Sequence, residues 1–472
     1  MKHQNKKPIY SNTQTAPDAR LRRNDVYPRE VPTHQSYTRK GAGAYLKIAA
    51  VSLGVVFLAQ SCSILGGPKT SGPKAEVTWW HVFDDTRVTR SVIEGFQDAN
   101  PNIQVKFVQK SIDTYEDELV DALASGSGPD IFSIHNDWLP KHQDKMAPAP
   151  AKVMSLREFQ DGFIDAAETD LMAGGQIYGV PLSGDVLALY YNKDILSSVG
   201  IAQPPATWEE LVSITPKITR VDSFGDFTRS AVALGTSANV NRAPDILGAL
   251  MLQNGTQFYS QSLSSSALSQ QARDEQGKTF MPAGRALEFY TQFANPAKVT
   301  YTWNARSNNS IEAFAAGKVA MIFSYSYLRP VLKTRAPFLN YGVAPLPQLT
   351  AAGNKINYAN YWAAGVSKQS PNIDAAWTFL KYLSSKEGLK LYYEVQKQPA
   401  PRPDLIAEQQ GDPEVGVFAE NALTAKSFYK PDSDAIEAIF VEMIENVTLR
   451  NIDPEDAVSA ANQKINLLLR NR

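Results

Sequence analysis

The chain has 472 residues, 43% of them hydrophobic, enough to bury a large core and to form two or more lobes. Its net charge of −1 hides an asymmetry: 10 Lys and Arg stand against 3 Asp and Glu up to Ser61, and 37 against 45 beyond it. An acidic body without a basic patch argues against nucleic acid as the main partner, and a single cysteine excludes an intramolecular disulfide.

Residues 1–47 are basic and polar, lack helical or strand periodicity, and read as a disordered leader. Residues 48–59 form an apolar run behind a basic flank, ending in the small residue Ala59 shortly before Cys62. That order describes an export signal, and the run is well short of the roughly 20 residues a spanning helix needs. Ala59-Gln60-Ser61-Cys62 resembles a bacterial lipobox, in which the cysteine becomes the lipidated first residue of the mature protein. Residues 48–62 are therefore assigned as signal and lipobox; left uncleaved, the same run would stay as an anchor. The basic front and acidic body fit retention of the front inside the cell and export of the rest. Residues 63–74, rich in Gly, Pro, Ser and Lys, read as a flexible tether.

Folded structure is expected from about Ala75. Residues 76–83 (EVTWWHVF) suit a strand buried on both faces. In residues 86–99 Val88, Val92 and Phe96 fall at helical spacing, and Asn100-Pro101 stops the helix. A second strand at 103–108, a helix at 115–125 and a short strand at 130–134 complete a βαβαβ rhythm, which implies a parallel sheet with helices on its faces. Thr207 and Glu210 form a capping box in front of a helix, so Trp208 reads as structural; Trp377 sits at core spacing with Leu380. Two amphipathic helices end the chain. One carries Ile436, Ile439, Phe440, Met443 and Ile444; the other is capped by Asp453, begins at Pro454, and carries Val458, Ile465 and Leu468.

Seven motifs run through this body in order. They are FxxxxPxIxV at 96–105, GxGPDI at 126–131, YGVP at 178–181, LYYNKD at 189–194, PPATWEEL at 204–211, FAAGKVAM at 314–321 and AWTFLKYL at 376–383. Together they resemble the extracellular solute-binding proteins of sugar ABC importers, the family that includes maltose-binding protein. The resemblance covers nearly everything from Glu76 onward. It implies an α/β, two-lobed periplasmic-binding-protein-like fold with the ligand cleft between the lobes. By that pattern residues 75–184 and 363–412 form the first lobe, and residues 185–362 and 413–472 the second.

Such a site needs aromatic faces for sugar rings and carboxylates or amides for hydroxyls. The resemblance implies candidates at strand ends and crossovers: Trp80, Asp84 and Asp85 after the first strand, and Asp137 and Trp138 after the GPDI strand. It adds Asp185 at the first crossover, Trp303 in a loop, Tyr325 and Tyr327 after the AMIF strand, Tyr361 and Trp362 at the second crossover, and Arg402. Trp79 and Trp80 alternate on one strand, so one of them belongs to the core; Asp137 has a helix cap as its alternative role. No HxxxH or HExxH pair, GxSxG or phosphate-binding loop is present, so neither a metal, a cofactor nor catalysis is expected. The implied partners are a small carbohydrate, membrane ABC permease subunits and, through Cys62, the lipid bilayer on the extracytoplasmic face, with the receptor itself a monomer. Two other readings stay open: an exported hydrolase using carboxylates such as Asp84 and Asp137, and a ligand sensor for a membrane signalling partner.

Overall fold

Val77 and Trp79 alternate along the strand Ala75–Val82, and both are buried, with the Trp79 ring edge-on to Phe107 and Phe379. The computed structural model describes residues 75–470 apart from 275, 351, 352 and 396; the leader, the apolar run, Cys62 and the tether lie outside these. Helix Thr86–Ala99 follows on its expected bounds, burying Val88, Val92 and Phe96, and the Asn100 N–H closes it on the Phe96 carbonyl. Strands Ile103–Lys110 and Ile131–His135 then pair in parallel on either side of the first strand.

These strands belong to a six-stranded sheet. Its order is Ile103–Lys110, Ala75–Val82, Ile131–His135, Trp362–Ser367 and Met146–Ala147, with Gly179–Pro181 also paired to Trp362–Ser367. A second, five-stranded sheet runs Tyr341–Pro345, Ala188–Asn192, Val319–Ser324, Phe227–Val232 and Arg220–Val221. Each sheet thus takes a strand that is distant in sequence from its neighbours, which requires the chain to pass between them more than once.

The passages lie side by side. The Leu187 N–H donates to the Tyr358 carbonyl at 3.0 Å, and the Asn360 N–H to the Asp185 carbonyl at 3.0 Å. Asn357–Tyr358 pairs in parallel with Ala425–Lys426, so a third passage runs beside the other two. At Gly184 a Cβ would stand 2.5 Å from the Ala400 carbonyl oxygen, so only glycine admits this close approach.

Thr207 caps helix Trp208–Ile218 by accepting the Glu210 N–H at 3.2 Å. The Glu210 carboxylate reaches one residue further back than a standard box, to the Ala206 N–H at 2.7 Å. Helices Ser433–Thr448 and Pro454–Arg470 pack on each other and on helix Pro282–Thr291. Their expected apolar stripes are buried, save Leu468, which is partly covered. Each large apolar side chain so buried stabilises the fold by about 1.5–3 kcal/mol.

Candidate functional site

At the carboxyl end of the first strand the chain turns through Phe83, whose φ of 71° is a left-handed value that a bulky residue rarely adopts. Its side chain is 43% exposed and its ring lies 5.5 Å from that of Trp362. Asp84 is buried: His81 Nε2 stands 2.7 Å from its carboxylate, which also accepts the Tyr392 hydroxyl. The other His81 nitrogen meets the Ser133 hydroxyl at 2.5 Å. Ser133, His81 and Asp84 therefore form a hydrogen-bonded chain, with Ser133 completely buried on its strand. Asp85 caps helix Thr86–Ala99 and pairs with Arg87, whose guanidinium hydrogen bond holds its carboxyl below the ordinary range. Trp79 is the core member of its pair; Trp80 is half-buried with the Lys110 ammonium 4.0 Å above its ring.

The loop after strand Ile131–His135 gathers the main cluster. Trp138 stacks on Tyr115 at 6.2 Å and meets Trp362 edge-on at 5.3 Å, and His135 lies 5.4 Å from Trp362. Asp137 is buried and caps no helix. One carboxylate oxygen lies 2.6 Å from His135 Nδ1, and the other accepts the Lys430 ammonium at 2.8 Å. Burial opposes its ionisation, yet the charges of His135 and Lys430 hold its carboxyl well below the ordinary range. The Tyr361 hydroxyl donates to Asp170 at 2.8 Å, where the Asn136 amide at 2.9 Å and the Ser427 hydroxyl converge as well. Burial pushes the Asp170 carboxyl up to about 6 against the pull of those donors.

Across the passages, Asp185 accepts the Val186 N–H at 2.9 Å, the Ser326 N–H at 3.0 Å and the Ser326 hydroxyl at 2.7 Å. Burial raises its carboxyl to about 7. Ser326 stands between Tyr325 and Tyr327, just past strand Val319–Ser324. The Tyr325 hydroxyl donates to Asp245 at 2.8 Å and the Tyr327 hydroxyl to Asn241 at 3.1 Å. Arg242, with a φ of 65°, holds its guanidinium 5.0 Å from the Tyr325 ring and 6.0 Å from the Tyr327 ring, and 3.6 Å from Asp245.

Two candidates stand elsewhere. Trp303 is fully buried, its indole N–H donating to Asn239 at 3.1 Å. Arg402 packs on Phe163 at 5.6 Å, binds Asp404, and lines a separate cavity of about 750 Å³ with Phe96 and Tyr382. Phe83, Asp170, Arg242 and Lys430 escape sequence reasoning. Lys430 and Asp170 sit in stretches with no motif, and only the positive φ of Phe83 and Arg242 singles those two out. Among the described residues no group of three or more His, Cys, Asp or Glu side chains is placed to hold a metal ion.

The multiple sugar-binding protein of Streptococcus mutans serotype c is 23% identical over 362 residues, covering 75% of this chain and 81% of its own. The galactooligosaccharide-binding protein of Bacillus subtilis is 21% identical over 434 residues, covering 89% and 96%. Among solved structures, the sugar-binding protein MalE from Xanthomonas citri superposes with a TM-score of 0.70 at 20% identity, over 84% of this chain and 98% of that one. The likeness extends to the two-lobed architecture. The model of the bacterial extracellular solute-binding protein family matches residues 84–390, well over half of the sequence, and the chain belongs to that family.

Proposed function

We propose that this chain captures a small carbohydrate outside the cytoplasmic membrane, closes its lobes around it, and presents the closed form to the permease subunits of an ABC importer. It catalyses nothing in this reading. The observation that carries it is the grouping of Trp138 and Trp362 where the parallel strands of one sheet end, with Tyr327 past the end of strand Val319–Ser324 in the other. Aromatic faces suit the apolar faces of sugar rings, and ligands of α/β sheets bind beyond the carboxyl ends of strands. The names of the relatives, which specify sugars and galactooligosaccharides, support the same class.

Of the candidates, Trp138, Trp362 and Tyr327 are assigned to the ligand, and Asp137, Asp185, Tyr361 and the fully buried Tyr325 to the frame that holds them. The lobes are taken as residues 75–184 with 363–412, and 185–362 with 413–472. Cys62 is assigned as the lipidated residue that keeps a monomeric receptor at the membrane. A thermal-shift screen of neutral mono- and oligosaccharides tests the reading: a ligand at 100 times its Kd adds roughly 2.7 kcal/mol of stability. Trp362→Ala should abolish the shift while the ligand-free protein stays folded. Hydrolysis of an oligosaccharide that binds would overturn the non-catalytic assignment.

A further inference from the structure

The passage that contains Ala425–Lys426 presents two faces. Phe428 stacks on Phe258 at 4.0 Å and on Phe440 at 5.7 Å, and Tyr429 packs edge-on against Tyr259, all in the proposed second lobe. The polar side chains of the same segment turn to three aspartates of the proposed first lobe. Lys426 lies 3.8 Å from Asp165, the Ser427 hydroxyl donates to Asp170, and Lys430 holds Asp137 at 2.8 Å. The first of these pairs is exposed and worth little, but both partners of the last are buried. The Lys430 ammonium also lies 5.5 Å from the centre of the Phe428 ring, so one charge faces an aromatic ring of the proposed second lobe and a carboxylate of the proposed first.

We infer that Lys430 is a positioning residue whose ion pair with Asp137 clasps the two lobes and sets how far apart they rest. The inference builds on the lobe-closure reading above and adds to it a specific residue that biases closure. Asp137 immediately precedes Trp138 in sequence and its other oxygen is engaged by His135, which abuts Trp362. The clasp therefore ties the spacing of the lobes to the aromatic cluster proposed to take the sugar. Opening about the passages pulls the ammonium away from the carboxylate, and a buried charge stripped of its partner is costly. Removing both charges removes that cost along with the clasp.

The test reads lobe separation without any ligand, so it stays decisive even if the sugar reading fails. In the full-length C62S chain, purified in detergent, nitroxide labels on E94C and E209C report the distance between helices Thr86–Ala99 and Trp208–Ile218 by pulsed electron resonance. Both positions are exposed. The labelled parent should give one narrow distance. K430M and the double variant K430M/D137N should each shift the population roughly tenfold toward a different, wider separation. Circular dichroism and melting establish that each variant is folded, and the double variant decides should K430M fail to fold. Parental distances in the double variant would overturn the clasp, because any effect of K430M would then come from a stranded carboxylate.

Discussion

Asp137 illustrates how burial changes a residue's expected role. As a strand-end acid it reads as a ligand contact, but in the fold both its oxygens are engaged by His135 and Lys430. Asp137→Ala should therefore lower the stability of the ligand-free protein by about 3–5 kcal/mol, since it takes from the buried Lys430 ammonium the carboxylate it is hydrogen-bonded to. Urea denaturation measures this, and a change below about 1 kcal/mol would return Asp137 to the ligand list. Asp185 allows a test by pH. Burial lifts its folded-state value to about 7, against an ordinary carboxyl near 3.9. The fold thus favours the neutral acid: its stabilising contribution is complete below about pH 4 and is lost as pH rises through about 7. Asp185→Asn cannot ionise and should flatten the decline of stability over that window, by at most about 1.4 kcal/mol per pH unit. Parallel stability profiles for the two proteins would count against a raised Asp185.

Secondary-structure elements follow local chemistry closely here. Helix Thr86–Ala99 starts at an Asp85 cap and ends at Asn100, and the residue after it is proline, which cannot continue a helix. Helix Trp208–Ile218 depends on Thr207, so Thr207→Ala should cost about 1 kcal/mol in chemical denaturation, and Thr207→Ser should recover most of it. Equal losses for the two variants would mean that packing around Trp208, and not the cap, sets the boundary. The third passage shows the opposite case. Ala425–Lys426 is only two residues long and has no strand signal of its own. It is extended because Asn357–Tyr358, far away in sequence, supplies its hydrogen-bonding partner.

For the whole molecule, closure requires that ligand bind one lobe arrangement better than the other, because equal affinity for both shifts nothing. Small-angle scattering should show a smaller radius of gyration once a sugar from the thermal-shift screen is added. The compaction should saturate at the Kd of binding; full affinity with an unchanged profile would leave a rigid pocket in place of a hinge. Membrane attachment is a separate matter. Cys62→Ser should release the protein from the membrane fraction or leave uncleaved precursor, since stable anchoring takes more than one acyl chain's worth of burial. A variant that stays membrane-bound at the parental mass would assign anchoring to residues 48–59.

The first three strands and the two helices between them, the stop of Thr86–Ala99 at Asn100, the Thr207 cap of Trp208–Ile218 and the buried stripes of the last two helices were legible because periodicity and caps act within a few residues. Trp138 could be named from its place after the GPDI strand and Trp362 from the second crossover, yet nothing local says that they touch. That contact exists because strands Ile131–His135 and Trp362–Ser367 pair antiparallel, so the end of one meets the start of the other. The same holds for polar groups. Only tertiary structure brings Lys430 to Asp137 across 293 positions, and Asp170 to Asn136, Tyr361 and Ser427. A carboxylate's role is decided by which donors and how much water surround it, and both depend on chain segments far apart in sequence.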